Sequence, residues 1–166
     1  MVIEMKKLLF SLLLSIFAGF AAAQSTADVV KPDSRDLCPV CGMLVAKYPN
    51  WVATIVYQDG HRHFFDGAKD MLKFWHDPAK YAAGHERSQM SQILVTEYYG
   101  LEQIDAKSAW YVIGSDVLGP MGHELVPLAS AEDAADFLKE HKGARILRFD
   151  EIDAALPFQL DQGKFD

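Results

Sequence analysis

The sequence predicts an α+β fold made of two related ββαβ units packed together. Three observations predict it. The order strand, strand, helix, strand is spelled out twice along the chain. The two helical segments echo each other at an offset of 63 residues, Ala68-Lys-Asp-Met-Leu-Lys-Phe74-Trp75 over Ala131-Glu-Asp-Ala-Ala-Asp-Phe137-Leu138. Half of the 166 residues are hydrophobic and only two are cysteine, so the fold rests on an apolar core and not on a disulfide framework.

The elements follow in order. Lys6-Lys7 precedes an uncharged run from Leu8 to Ala23 that ends in Ala21-Ala22-Ala23. This is the pattern of a secretory signal peptide, so residues 1–23 are expected to be removed and the rest to be exported and soluble. The apolar run is short for a membrane span of ~20 residues, so no stable span is expected in the mature chain. No cysteine stands at the cleavage point to carry a lipid. Residues 24–37 are polar and form a flexible lead-in.

The first unit is assigned to residues 38–99. Residues 51–57 are β-branched and aromatic, Asp59-Gly60 signals a type I′ hairpin, and residues 61–65 return. Asp66 is placed to cap a helix running to about His76, with Ala68, Met71, Leu72 and Trp75 at helical spacing. Residues 93–99 supply the third strand. The second unit is assigned to residues 100–152. Strands are expected at 110–113 and 123–128, then a helix capped by Ser130 in Ser130-Ala-Glu-Asp133 and closed by Gly143, then a strand at 145–149. Residues 153–166 are a C-terminal tail.

Charge and motifs exclude several functions. A net charge of −7 and a pI near 5.3 argue against a nucleic-acid partner. There is no Gly-rich phosphate loop, no Gly-x-Ser-x-Gly elbow and no His-Glu-x-x-His. The 23 acidic residues fall on helix faces and caps and describe a solvated surface, not a catalytic carboxylate pair. No enzymatic activity is expected.

The chemistry lies in the sulfurs. Cys38-Pro-Val-Cys41-Gly-Met43 places three within six residues. Cys41 and Met43 are two apart, so an extended backbone sends both to one face. Met121 sits in Gly119-Pro120-Met121-Gly122-His123, a turn whose small neighbours let a thioether approach a metal, and His123 can add a nitrogen. Thiolate and thioether are soft donors that favour Cu(I). Other chemistries fit the same residues. Cys38 and Cys41 can form a structural or redox-active disulfide, as in a thiol–disulfide oxidoreductase. With His61 and His63 they can make a zinc site of an interaction module, although one intervening residue is fewer than zinc histidines usually have. Met43 and Met121 can simply be packed. His61 and His63 are otherwise solvated beside the hairpin turn, and surface positions account for His76, His85 and His141.

Cys41-Gly-Met43, the hairpin into Phe64-Phe65, Gly119-Pro-Met121-Gly, Val126-Pro-Leu and Asp133-Ala-Ala-Asp-Phe137 together resemble the NosL family of nitrous oxide reductase accessory proteins. The resemblance covers residues 38–152. It implies a periplasmic protein that binds Cu(I) and supplies copper to nitrous oxide reductase, receiving it from copper-supplying periplasmic or membrane proteins. It also implies two ββαβ units like those of organomercurial lyase, and copper ligands at Cys41, Met43 and Met121. Cys38 is extra to the family's Cys-x-Met pattern, and a disulfide to Cys41 would then gate metal binding. The same opening motif resembles the short YHS-type metal modules, whose further cysteines are replaced here by Phe64-Phe65-Asp66.

Overall fold

The structure is a computed structural model and describes residues 30–166. The expected signal peptide and residues 24–29 of the lead-in lie outside the described residues.

The first unit contains strand β1 (Ala53–Tyr57), strand β2 (Arg62–Phe65), helix α1 (Ala68–His76), the short helix α2 (Pro78–Tyr81) and strand β3 (Met90–Thr96). Strand β4 (Gln103–Asp105) then adds to the same antiparallel sheet, whose order is β2-β1-β3-β4. The second unit contains strand β5 (Trp110–Ile113), a two-stranded ribbon of β6 (Leu118–Gly119) and β7 (Gly122–His123), strand β8 (Val126–Leu128), helix α3 (Ala131–Glu140) and strand β9 (Arg145–Arg148). Its sheet order is β8-β5-β9. In both sheets the unit's first strand is flanked by the strand that precedes the helix on one side and the strand that follows it on the other, all antiparallel. The repeat is therefore a repeat of topology. Helix α4 (Leu156–Leu160) follows in the last segment.

Alternation along β5 shows how the units pack. Tyr111 and Ile113 enter the large core shared with Ile55, Phe65 and Phe74 of the first unit. Val112 points the other way, into a smaller cluster with Val126, Leu128, Ala134 and Phe137 beneath α3. A strand with period two thus serves two cores, and the second sheet is covered on both faces. Leu156 and Leu160 of α4 are buried in the shared core, so the C-terminal segment is anchored to it through α4.

Local details differ from the sequence expectations, and the strand expected at 93–99 runs instead over 90–96. The β1–β2 turn has Gly60 alone at positive φ (87°), with Gly60 N–H donating to Tyr57 O and Tyr57 N–H to His61 O. That is a three-residue loop with a bulge at Gly60, not a type I′ turn, which needs two left-handed residues. The strand expected at 123–128 is split into β7 and β8. Asp66 does not cap α1, because Gly67 occupies the N-cap in extended backbone with no capping side chain of its own. Ser130 does cap α3, accepting from Asp133 N–H at 3.0 Å.

Candidate metal site

Helix α1 is the piece on which the site is assembled. Its residues from Ala68 to Phe74 are all buried, including Lys69, Asp70 and Lys73. A helix in the centre of a fold must satisfy those charges internally, and here they are satisfied by three distant segments.

The cysteine loop is the first. Cys38 N–H donates to Met43 O at 2.9 Å and Gly42 N–H to Cys38 O at 2.8 Å, which closes residues 38–43 into a tight loop. Gly42 stands at φ 77°, a conformation that glycine adopts freely. It breaks the extended run assumed between Cys41 and Met43, so their spacing does not put them on one face. Both thiols turn toward the start of α1. Cys38 Sγ donates to Asp70 Oδ2 at 3.5 Å and Cys41 Sγ to Asp66 Oδ1 at 3.2 Å. One donor atom from each of Cys38, Cys41, Asp66 and Asp70 lies within 4.8 Å of the other three. Cys38 is buried, Cys41 half-buried, and the cysteines are not bonded to each other.

The β6–β7 ribbon is the second segment. The Lys69 ammonium donates to Met121 O at 2.8 Å and His123 O at 2.7 Å. Glu124 Oε1 accepts from Lys69 N–H at 2.6 Å, so the second unit supplies the missing cap of α1. The fit is close: a Cβ at Gly67 would collide with the Glu124 carboxylate. The third segment is α4. Asp161 reaches Lys69 at 2.9 Å and Lys73 at 2.8 Å, and Lys73 also pairs with Asp70 at 2.9 Å.

Electrostatics keep the thiols protonated without metal. Burial pushes the Cys41 thiol up to about 12, and Asp70 adds to the rise, while the Met43 N–H opposes it. Cys38 is raised further, again chiefly by burial. Burial likewise pushes Glu124 up to about 8 against the pull of Lys69. A metal that binds the cysteines must therefore displace protons.

The candidate residues are thus distributed as follows. Cys38 and Cys41 converge. Met43 is half-buried in the same loop. Met121 is 41% exposed at the ribbon turn, with its backbone, not its thioether, held by Lys69. His123 packs edge-on against Phe165, has a buried Nδ1 without a partner, and is not among the donors that converge on the cysteines. His61 and His63 do not join the cysteines, because they gather with His85 around Tyr57. His85 and His63 are therefore not simple surface residues, and the zinc site of two cysteines with His61 and His63 does not form. His76 Nε2 donates to Ile152 O at 2.9 Å and His141 Nδ1 to Asp116 Oδ1 at 3.1 Å, both from half-buried positions.

Sequence reasoning missed Asp66 and Asp70. Both are almost wholly buried, at 1% and 2% exposure, so the acidic residues are not all a solvated surface. The available signal was the phase of α1. Asp70 and Lys73 are three apart on the helix, and both adjoin the apolar stripe at Met71 and Leu72.

Fold and site together define an α+β protein with a loop of thiols, rich in metal-binding donors, docked at a helix start. The chain belongs to the NosL family, whose sequence model matches residues 29–157. It is 35% identical over 135 residues to a protein of Stutzerimonas stutzeri called copper-binding lipoprotein NosL, covering 80% of this chain and 70% of that one. Among solved structures it is similar to the copper chaperone NosL from Shewanella denitrificans, with a TM-score of 0.64 and 27% identity over 76% of this chain and 96% of that one. The apo-NosL protein from Achromobacter cycloclastes also matches, at a TM-score of 0.45 and 26% identity over 63% of this chain and 87% of that one. These relatives are named for copper binding and for a copper-chaperone role. Among the described residues no helix is long and apolar enough to cross a membrane.

Proposed function

We propose that this chain binds one Cu(I) in the periplasm and delivers it to nitrous oxide reductase while the copper centres of that enzyme are assembled. Copper is its cargo. Cys41 is the anionic anchor, Met43 and Met121 are neutral thioether ligands, and Cys38 lies close enough to join or to oxidise. The observation that carries the proposal is the docking of the cysteine loop and the Met121 ribbon at the same N-terminal end of α1, the loop through Asp66 and Asp70 and the ribbon through Lys69. Soft sulfur donors select Cu(I) over harder ions. Few ligands on loop segments allow the ion to leave, as a donor protein requires. The names of the relatives, which speak of copper binding and a copper chaperone, support the same cargo.

The test has two parts. Reduced protein takes up about one Cu(I) per chain and holds it against a chromophoric Cu(I) chelator. Loaded protein then restores copper and activity to copper-free nitrous oxide reductase faster than free Cu(I) at equal concentration. Retention of zinc with loss of Cu(I) to the first equivalent of chelator contradicts the cargo. Transfer no faster than free Cu(I) contradicts the delivery. A second reading, a zinc site of two thiolates and two carboxylates, draws on the convergence of Cys38, Cys41, Asp66 and Asp70. Metal analysis of protein purified under reducing conditions separates the two.

A further inference from the structure

A second cluster of metal-binding side chains lies at the other end of β2. His61 and His63 come from the β1–β2 hairpin, and His85 comes from the connection after α2. One ring nitrogen from each lies within 4.8 Å of the other two. The His61 and His85 rings are stacked at 4.5 Å, and His63 stands edge-on to both, at 4.7 and 5.2 Å. We propose that His61, His63 and His85 form a three-imidazole site for a divalent first-row ion, Cu(II) or Zn(II), separate from the cysteine site.

Four observations support it. His61, just before β2, and His63 within it bring their rings together, and His85 is brought to the same place from another segment. Three histidines on an ordinary surface would instead spread into solvent. Nitrogens bound to one tetrahedral ion at 2.0–2.1 Å stand about 3.3 Å apart, a separation that side-chain rotation reaches from the observed cluster. Nε2 of His63 is buried without a hydrogen-bond partner, so none of the described residues occupies that nitrogen. A buried polar atom left unpaired costs stability, and a ligand there offsets the loss. Finally, a cavity of about 230 Å³ lined by Tyr57, Gln58, Asp59, Gly84, His85 and Gln89 adjoins the cluster. That volume holds the water or other oxygen donor that completes a three-histidine site.

The donor set decides the ion. Imidazoles suit Cu(II) and Zn(II), and affinity for Cu(II) exceeds that for Zn(II) in a site of equal geometry. Cu(I) is better served by the sulfurs of the first site. The two clusters therefore sort ions by softness.

The test uses the untagged mature chain, with Zn(II) and Cu(II) as probes. Amide NMR shifts on adding one equivalent of Zn(II) are expected at residues 57–63 and 84–86. His85→Ala is expected to abolish them and weaken Zn(II) binding at least tenfold. Cu(II) added to protein whose two cysteines are replaced by serine is expected to give one EPR signal with nitrogen coupling, simplified in His85→Ala. Shifts confined to residues 38–43 and 66–70, or equal Zn(II) affinity in His85→Ala, would overturn the proposal and leave the histidines as packing around Tyr57. The NMR arm needs no cysteine substitution, so a poorly folding double variant does not obscure the result.

Discussion

Cys38 and Cys41 differ in what surrounds them. Cys38 is sealed beneath the loop with Asp70, whereas Cys41 keeps partial access to solvent beside Asp66. Access makes Cys41 the better entry point for an ion. Their sulfurs lie within 4.8 Å of each other, near enough for oxidation to close a disulfide. An oxidised pair offers no thiolate, so air-oxidised protein is expected to bind at least tenfold less Cu(I) than reduced protein. Cys38→Ser is expected to keep binding and lose that sensitivity. Chelator competition with and without reductant checks both, and equal uptake in the two wild-type states would exclude the gate. The cysteine pair was visible in the sequence because Pro39 and Gly42 mark the loop that carries it. Asp66 and Asp70 were not. A carboxylate at a helix start is ordinarily a solvated cap, and nothing local says that a thiol loop about thirty residues earlier will cover it.

Helix α1 depends on a cap delivered from the other unit. Glu124 accepts the Lys69 N–H, and Gly67 leaves the space in which the carboxylate lies. Gly67 has extended backbone that alanine also adopts, so its requirement is one of space. Gly67→Ala is therefore expected to destabilise by about 1–3 kcal/mol through overpacking. In a Glu124→Ala background the same substitution is expected to cost less than ~0.5 kcal/mol, since the collision is gone. Urea unfolding of the four proteins measures the coupling, and additive losses would show that Gly67 answers to something else. Strands β1, β2, β5 and β9 and both main helices were legible from local periodicity, whereas β4 and the β6–β7 ribbon were not. The cap was not, because it joins residues 55 apart in sequence. The turn at Gly60 shows the same limit on a smaller scale. Asp59-Gly60 announces a hairpin, but the loop length that selects the turn type is decided by how β1 and β2 pair.

At the scale of the molecule, α1 is a central post to which the cysteine loop, the β6–β7 ribbon and α4 are tied. Asp161 supplies much of the countercharge for Lys69 and Lys73. Burial alone would raise its carboxyl, but hydrogen bonds from Lys73 and Lys69 outweigh that and hold it below the usual range. A carboxyl depressed in the folded state stabilises above its unfolded pKa of about 3.9 and stops doing so as pH falls through the folded value. Asp161→Asn is expected to cost about 3 kcal/mol at neutral pH, the lower end for a broken buried pair because Asp161 is partly exposed. The gap between variant and wild type is expected to shrink below about pH 4. A gap independent of pH would remove the charge from the explanation.

The central claim is that copper is held between the two units, by sulfur from the cysteine loop and from the ribbon. Lys69 grips the ribbon by the carbonyl of Met121, so changing that side chain leaves the anchor in place. Met121→Leu preserves size and apolarity and removes only the thioether, at a folding cost below ~1.5 kcal/mol. The direct measurement is the Cu(I) affinity of Met121→Leu beside the thermal midpoint of its copper-free form. Affinity weakened at least tenfold, equivalent to ~1.4 kcal/mol, with a near-normal midpoint is the predicted result. Unchanged affinity would contradict the account and confine the site to the cysteine loop.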